Sequence, residues 1–342
     1  MTVTSPAQLA RPRRLERKLA SIAAGRYTPA DFILADAKDA EMAFGVAAPG
    51  PVPGTPAEAS GGPGHYRTRP AYLEAMRAGI LGGALDILLT SASNGERLVT
   101  DGWPDPDVTL AVRGNDATDI WHPRGARYAT HASRPFRTVD LARLRPFCDL
   151  VLYSVTFNND LERDLATVEA YRAFRHEAAP LGIRHFLEVF NPNAPAGLDP
   201  ALVGPFVNDW IIRVLAGVTS DERPIFLKVG YNGADALAEL AEHDPSLVVG
   251  IFGGSAGTTR DTFELLRRAE AHGARVALFG RKIQHAESQG AIVSLMRRVL
   301  GGELSPDAAV RDYHATLHRE GIAPVRPRAA DLEVTDPVLR AE

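Results

Sequence analysis

The chain has 342 residues, of which 45% are hydrophobic and 23% charged, and its formal net charge at pH 7 is −4. This composition is typical of a soluble globular protein, and a charge so near neutrality indicates no nucleic-acid partner. The single cysteine, Cys148, excludes an internal disulfide framework and a cysteine-based zinc site. Because no apolar run reaches the ~18 residues of a membrane helix and no secretory signal pattern begins the chain, we expect a cytoplasmic protein.

The chain divides into three segments. Residues 1–30 form a basic N-terminal extension with one short helix, residues 31–302 form the main domain, and residues 303–342 form a C-terminal helix and tail. Within the main domain, residues 45–70 are rich in glycine and proline, and residues 114–140 are polar and irregular. Long loops of this kind in compact domains are usually functional lids or disordered segments.

Four polar residues end the glycine- and proline-rich loop. They are His65, Tyr66, Arg67 and Arg69, and their side chains are long enough to reach an anionic substrate. Ordinary solvated polarity is the alternative interpretation, because charged residues are mostly exposed.

Eight apolar runs are predicted to be strands, with amphipathic helices between them. The predicted strands cover residues 31–39, 85–91, 108–113, 150–157, 185–190, 224–230, 247–252 and 275–279. In the long helix over 160–181, Leu161, Leu165, Val168 and Tyr171 recur at three- and four-residue spacing, which predicts a buried face. Near-continuous hydrophobic strands are typical of parallel sheets covered on both faces, so eight units predict a single-domain α/β protein, a (β/α)₈ TIM barrel. An open doubly wound sheet is the alternative, although no G-x-G-x-x-G follows the first strand.

The sixth predicted strand contains a lysine, Lys228, between apolar residues of the segment 224–233. Burying a lysine is costly unless its charge is paired, and burial lowers its pKa toward the neutral, nucleophilic amine. We therefore hypothesise that Lys228 forms a Schiff base with a carbonyl substrate. A lysine that extends to solvent from the strand end or pairs with a carboxylate is the alternative.

Two carboxylates lie at positions where they can assist this lysine. Glu188 lies on strand five, next to the lysine strand, and Asp36 lies at the end of strand one. Barrel enzymes carry their active sites at the carboxyl ends of the strands, and Schiff-base chemistry needs a proton carrier. For strand one, an ordinary polar turn is the alternative.

Glycine clusters follow strands seven and eight, where this fold commonly binds phosphate. Glycine permits close approach of the backbone, helix starts favour anions, and an arginine binds phosphate with two parallel hydrogen bonds. The predicted phosphate-binding residues are Gly253, Gly254, Ser255, Gly257, Gly280 and Arg281, with Lys38 as a further cation on strand one.

Five short motifs in these strands resemble one enzyme family. They cover residues 35–38, 186–188, 228–233, 255–257 and 279–281. The motifs resemble those of class I aldolases of the tagatose-bisphosphate and sulfofructose-phosphate type, which are related to archaeal-type class I fructose-bisphosphate aldolases. The resemblance implies a Schiff-base role for Lys228, acid–base catalysis by Glu188, a supporting role for Asp36, and phosphate binding on strands seven and eight.

The chain also departs from that family's pattern. The family often carries a second lysine on strand four, and residues 150–157 contain none. The loop over 45–70 and the region over 114–140 look peculiar to this chain, so the resemblance does not identify the substrate.

The leading functional hypothesis is a lyase, a metal-independent class I aldolase that acts on a phosphorylated ketose or related sugar. It needs no cofactor, and we expect a homo-oligomer. A barrel acyltransferase or thiolase that acts on a phosphorylated carbonyl compound is an alternative. A catalytically inactive barrel that binds sugar phosphate is another, although such a site gains nothing from buried charge. Metal dependence is disfavoured because seven histidines show no H-x-H or H-x-x-x-H spacing: His65, His122, His131, His176, His185, His243 and His272.

Overall fold

Eight parallel strands close into a barrel in chain order, with β1 paired to both β2 and β8. The computed structural model describes residues 12–52, 65–116, 124–126, 128 and 130–341. The strands are β1 (Ile33–Lys38), β2 (Ile87–Thr90), β3 (Thr109–Arg113), β4 (Leu150–Thr156), β5 (Arg184–Phe190), β6 (Leu227–Val229), β7 (Gly250–Phe252) and β8 (Val276–Phe279). The predicted (β/α)₈ barrel is therefore confirmed.

Helices connect the strands and cover the outside of the barrel. They are α1 (Arg14–Ala23), α2 (Glu41–Phe44), α3 (Arg69–Leu81), α4 (Ala92–Thr100), α5 (Leu141–Leu144), α6 (Leu161–Ala178), α7 (Val203–Leu215), α8 (Ala234–His243), α9 (Thr259–Ala271), α10 (Arg281–Gln284), α11 (Gln289–Leu300), α12 (Pro306–Glu320), α13 (Arg328–Asp331) and α14 (Pro337–Arg340). None of the described helices is long and apolar enough to cross a membrane. The predictions for residues 1–11, 53–64 and 117–123 lie outside the described residues.

Helix α4 was not among the predicted elements. Its segment contains Ser93, Asn94 and Gly95, which have low intrinsic helix propensity. The Ser91 side chain caps it by accepting a hydrogen bond from the backbone N–H of Asn94.

Apolar side chains pack together inside the barrel, below its carboxyl end. Ile33, Ala35 and Ala37 of β1 point inward, where they pack with Phe186 and Phe226, whose rings stack at 4.5 Å. Leu15 of helix α1 packs against the same cluster. Because side chains alternate along a strand, Asp36 and Lys38 must point to the opposite face of β1.

Helix α6 buries the predicted apolar face only in its later part, where Tyr171 is buried and Val168 packs against the core. Leu161 is 79% exposed and Leu165 is 54% exposed, so the predicted apolar face is wrong at its start. The buried residues of α6 are Asp164, Thr167, Tyr171, Phe174 and Ala178. Asp164 can be buried although it is a carboxylate, because it accepts hydrogen bonds from the backbone N–H groups of Asn158 and Asp160.

The C-terminal tail satisfies the amino end of α9. The Asp331 carboxylate accepts a hydrogen bond from the Thr259 N–H at 2.8 Å. Asp261 accepts from the N–H groups of Thr258 at 2.9 Å and Thr335 at 2.7 Å. Burial raises the pKa of Asp261, but the hydrogen bonds from Thr335 and Thr258 outweigh this effect and hold the pKa below its ordinary value.

Replacing Asp261 with alanine is expected to lower the free energy of unfolding by about 2–3 kcal/mol, since several donors lose a charged acceptor. Asp307→Ala is the control, because Asp307 lies in the exposed first turn of α12, where it accepts a hydrogen bond from the Ser305 hydroxyl and pairs with exposed Arg311. The stabilisation by Asp261 should be present above pH ~4 and should be lost as the pH falls through the lowered folded-state pKa. Denaturant unfolding at pH 7 and pH 3 measures both effects; equal losses in the two variants would contradict the capping role.

Candidate active site

Lys228 and Glu188 meet inside the carboxyl end of the barrel. They occupy paired positions on β6 and β5, and Lys228 Nζ lies 2.6 Å from Glu188 Oε1. Lys228 is 4% exposed and Glu188 is 1% exposed, so both charges are nearly removed from water. The two residues are therefore neighbours, as the order of the strands predicts, and their charged atoms are in direct contact.

Arg113 at the end of β3 holds the other oxygen of Glu188. One guanidinium nitrogen lies 3.1 Å from Glu188 Oε2, and Nε donates to Asp39 Oδ2 at 2.7 Å. Ser154 of β4 donates its hydroxyl to the same Glu188 oxygen at 2.8 Å. Burial lowers the pKa of Arg113, but the carboxylates of Asp116, Asp39 and Glu188 outweigh it and raise the pKa above its ordinary value. The arginine therefore stays charged and fixes the carboxylate beside the lysine.

Sequence reasoning did not assign Arg113, Asp39 or Ser154 to the site. The signal for Arg113 was present, because it is a charged residue at the end of an apolar strand, as Lys228 is. For Asp39, the signal was strand alternation, which places it on the same face as inward-pointing Ala35 and Ala37.

Asp36 and Lys38, two of the predicted site residues, lie outside the barrel lumen. Lys38 Nζ binds both carboxylate oxygens of Asp36, at 2.8 and 2.7 Å. Both residues are buried between β1 and the helix layer, where an Asp36 oxygen approaches Gly79 of α3. The structure therefore brings neither side chain to Lys228, and Asp39 supplies the carboxylate that β1 turns toward the lumen.

The predicted phosphate residues gather at the ends of β7 and β8. Gly254 and Gly257 adopt φ values of 63° and 61°, which favour glycine, and Ser255 between them is exposed. The amino end of α9 is not open to a ligand there, because its first N–H groups bind Asp261 and Asp331. Any anion at this loop must therefore use the loop backbone and the side chains of α10.

Lys282 is a further cation at this loop, and sequence reasoning did not assign it. Its side chain is buried beneath Gly253, and among the described residues Nζ donates only to the Ala256 carbonyl, at 3.3 Å. Burial lowers the pKa of Lys282 to about 8, and Arg281 contributes in the same direction. Arg281 itself is exposed and forms no ion pair within the part of the chain that the structure describes. Arg281 is therefore the cation that an anion can reach from solvent, whereas the Lys282 side chain lies beneath the loop.

Asn193, which follows β5, binds three residues of the segment after β3. The Asn193 amide donates to the carbonyls of Tyr128 at 2.7 Å and His131 at 2.8 Å, and its oxygen accepts from Ser133. The pKa of Tyr128 is raised by burial first and by the charges of Asp116 and Glu188, while Arg281 lowers it. The Tyr128 hydroxyl is therefore under the electrostatic influence of groups from β5 and β8.

One H-x-x-x-H pair does occur in the chain, at His314 and His318 on α12, which corrects the sequence analysis. It lies outside the barrel, and His314 Nε2 is 3.0 Å from Asp331. The described residues contain no cluster of three or more His, Cys, Asp or Glu residues that could hold a metal.

No protein-family model matches the chain, and no curated protein matches it. An archaeal fructose 1,6-bisphosphate aldolase has a similar structure, with a TM-score of 0.59 and 13% identity over 84% of this chain and 99% of that one. The fructose-bisphosphate aldolase of Slackia heliotrinireducens gives 0.60 and 16%, over 92% and 95% of the two chains. An archaeal fructose-1,6-bisphosphate aldolase with its catalytic lysine bound to the carbinolamine intermediate gives 0.57 and 13%, over 84% and 100%. The shared feature is the barrel fold.

Proposed function

We propose that the protein is a metal-independent class I aldolase that cleaves or forms a carbon–carbon bond in a phosphorylated ketose or related sugar. The observation that carries this proposal is the 2.6 Å contact between Lys228 Nζ and Glu188 Oε1, with both residues almost fully buried inside the barrel. The similar barrel structures support it, because one of them holds an intermediate on its catalytic lysine. A site that only binds substrate would not recover the cost of burying this pair.

Glu188 is the base that the Lys228 ammonium needs. It accepts a proton from Nζ, and the free amine then adds to the substrate carbonyl carbon; the nitrogen, positively charged after the addition, loses a proton to the former carbonyl oxygen, which gives a neutral carbinolamine. The same carboxylic acid returns a proton as that oxygen leaves as water, which yields a protonated Schiff base. Arg113 and Ser154 keep the carboxylate oriented throughout.

Carbon–carbon cleavage follows from the same arrangement. Glu188, ionised again, removes the proton of the substrate hydroxyl on the carbon beyond the bond to be broken. The bond breaks, its electron pair moves toward the iminium nitrogen, and an aldehyde leaves while an enamine stays on Lys228. Protonation of the enamine and hydrolysis release the second product.

The substrate phosphate is proposed to bind between the glycine loop after β7 and the residues after β8. The cations there are Arg281 and Lys282, and the Ser255 hydroxyl lies in the same loop. Gly280 permits close packing, since a Cβ at this position would lie 3.1 Å from the Ala37 carbonyl of β1.

Borohydride trapping tests the proposed function directly. The intact enzyme is incubated with fructose 1,6-bisphosphate, tagatose 1,6-bisphosphate and other phosphorylated ketoses in the presence of borohydride, and its mass is measured. We expect a covalent adduct with at least one of these ketoses. Failure of every phosphorylated ketose to form an adduct would contradict the proposal.

Arg281→Ala is expected to raise the KM for a phosphorylated substrate by roughly one to two powers of ten, because hydrogen bonds to charged groups are worth about 1.5–3 kcal/mol. The KM for the unphosphorylated analogue should change little. Arg267→Ala is the control, because Arg267 pairs with Glu264 on α9. Equal effects of Arg281→Ala on both substrates would place the phosphate elsewhere.

A further inference from the structure

One layer of inward-pointing side chains lies directly above the Lys228–Glu188 pair. The strand register aligns Thr156 of β4 with Phe190 of β5, and it aligns Ser154 with Glu188 one inward position below. Because side chains alternate along a strand and Ser154 contacts Glu188 inside the barrel, Thr156 and Phe190 also point inward. A molecule that enters from the carboxyl end of the barrel therefore passes this layer before it reaches Lys228.

Two aromatic rings form the β5–β7 side of this layer. The rings of Phe190 and Phe252, the last residue of β7, lie 5.5 Å apart at an angle of 44°. The register places Gly230 between them, and a Cβ at this glycine would lie 3.2 Å from Phe252 Cζ, so the missing side chain gives the ring its room. Both phenylalanines are partly exposed, so the layer is open to the barrel mouth.

Thr156 contributes a buried hydroxyl to the same layer. The residue is 1% exposed, and its Oγ1 has no hydrogen-bond partner among the described residues. Ser154, one inward position below, differs because its hydroxyl donates to Glu188 at 2.8 Å. An unpaired buried hydroxyl is unfavourable, and a valine would fill the same space without that cost. A ligand that enters the layer can supply the missing partner.

We propose that Thr156 binds a hydroxyl on the substrate carbon next to the carbonyl that Lys228 attacks, while Phe190 and Phe252 cover the C–H face of that carbon. This inference rests on the proposed function and narrows it to an α-hydroxy ketone that is bound in one configuration. A hydroxyl directed at the two rings would be buried without a partner, so the opposite configuration is disfavoured. Thr156 is thereby a specificity-determining residue and takes no part in proton transfer.

Dihydroxyacetone phosphate and hydroxyacetone phosphate are matched probes of this contact, because they differ only in the hydroxyl next to the carbonyl. Wild type should be half-trapped by borohydride at a concentration of dihydroxyacetone phosphate that is lower by roughly ten-fold or more, because a site that binds a hydroxyl disfavours the analogue that lacks it. Thr156→Val should lose this preference, and its trapping with hydroxyacetone phosphate should be unchanged. Thr156→Ser, which keeps a hydroxyl, should retain the preference.

The melting temperature separates this role from a structural one. Thr109 at the start of β3 provides the matched control, because it is fully buried and its Oγ1 also lacks a partner among the described residues. Thr156→Val and Thr109→Val should both keep or raise the melting temperature, since each removes an unpaired buried hydroxyl. Only Thr156→Val should change the preference between the two ketones. A lower melting temperature in Thr156→Val alone would contradict an unpaired hydroxyl there and overturn the proposal.

Calorimetric titration of Lys228→Met with the same two ketones measures the preference without covalent chemistry. Tighter binding of dihydroxyacetone phosphate, lost when Thr156→Val is added, supports the proposal. Equal affinities in Lys228→Met, no binding of either ketone, or a preference that survives Thr156→Val would overturn it even if wild type is trapped. Absence of trapping in wild type, with the preference present in calorimetry, would instead overturn the Schiff-base function and leave the Thr156 contact supported.

Discussion

Replacing Lys228 with alanine is expected to abolish both borohydride trapping and carbon–carbon cleavage. The proposed covalent path depends on this amine, and losing a catalytic nucleophile typically removes most of the ~10⁶-fold or larger acceleration of an enzyme. Wild type should gain the mass of the reduced substrate, and Lys228→Ala should gain none. Wild-type activity should also survive EDTA.

Two other buried lysines provide internal controls for this experiment. Lys282 lies at the barrel mouth with a pKa lowered to about 8, so it is the competing nucleophile. Lys38 is fully buried and paired with Asp36 outside the lumen. Lys282→Met should still be trapped, and peptide mapping of the wild-type adduct should identify Lys228 alone. An adduct on Lys282, or activity that is lost with EDTA and restored by zinc, would contradict the mechanism.

Glu188→Gln is expected to lower kcat by ~10²–10⁴-fold, the usual contribution of a general acid–base residue. Glutamine keeps the shape of the side chain and its contacts with Arg113 and Ser154, but it cannot accept the proton of the Lys228 ammonium. Steady-state rates at saturating substrate measure the loss. Trapping of the Schiff base should slow in the same variant.

Asp36 on β1 and Asp39, which directly follows β1, complete the comparison. Asp39→Asn should lower kcat moderately, because Asp39 orients Arg113, which in turn holds Glu188. Asp36→Asn should leave kcat unchanged and reduce stability, because it breaks a buried ion pair outside the lumen.

A kcat loss below about threefold in Glu188→Gln would assign the proton transfer to another group, whereas the usual acid–base contribution is ~10²–10⁴.

The arrangement of strands was predictable because it follows from local pattern and chain order. Apolar runs alternate with helices, and parallel strands joined by helices lie side by side in sequence order. This alone placed Glu188 on the strand next to Lys228. It also placed the two glycine clusters at neighbouring strand ends.

Other features required the tertiary structure, because they depend on partners distant in the sequence. Leu161 at the start of α6 is exposed because Tyr171 and Phe174, further along the helix, make its contacts with the barrel. The amino end of α9 is closed by Asp331, 72 residues further along the chain. No local pattern identifies such partners.

The chain by itself thus determined the barrel and the neighbouring positions of Lys228, the proposed nucleophile, and Glu188, since hydrophobic periodicity and the cost of buried charge are local properties. The tertiary structure decided which strand-one charge enters the lumen, because strand phase is set by packing across the barrel. It turned Asp39 inward to Arg113 and left Asp36 to pair with Lys38 outside. It also brought the loop after β1 to the residues after β8, since only closure of β1 onto β8 makes those loops neighbours.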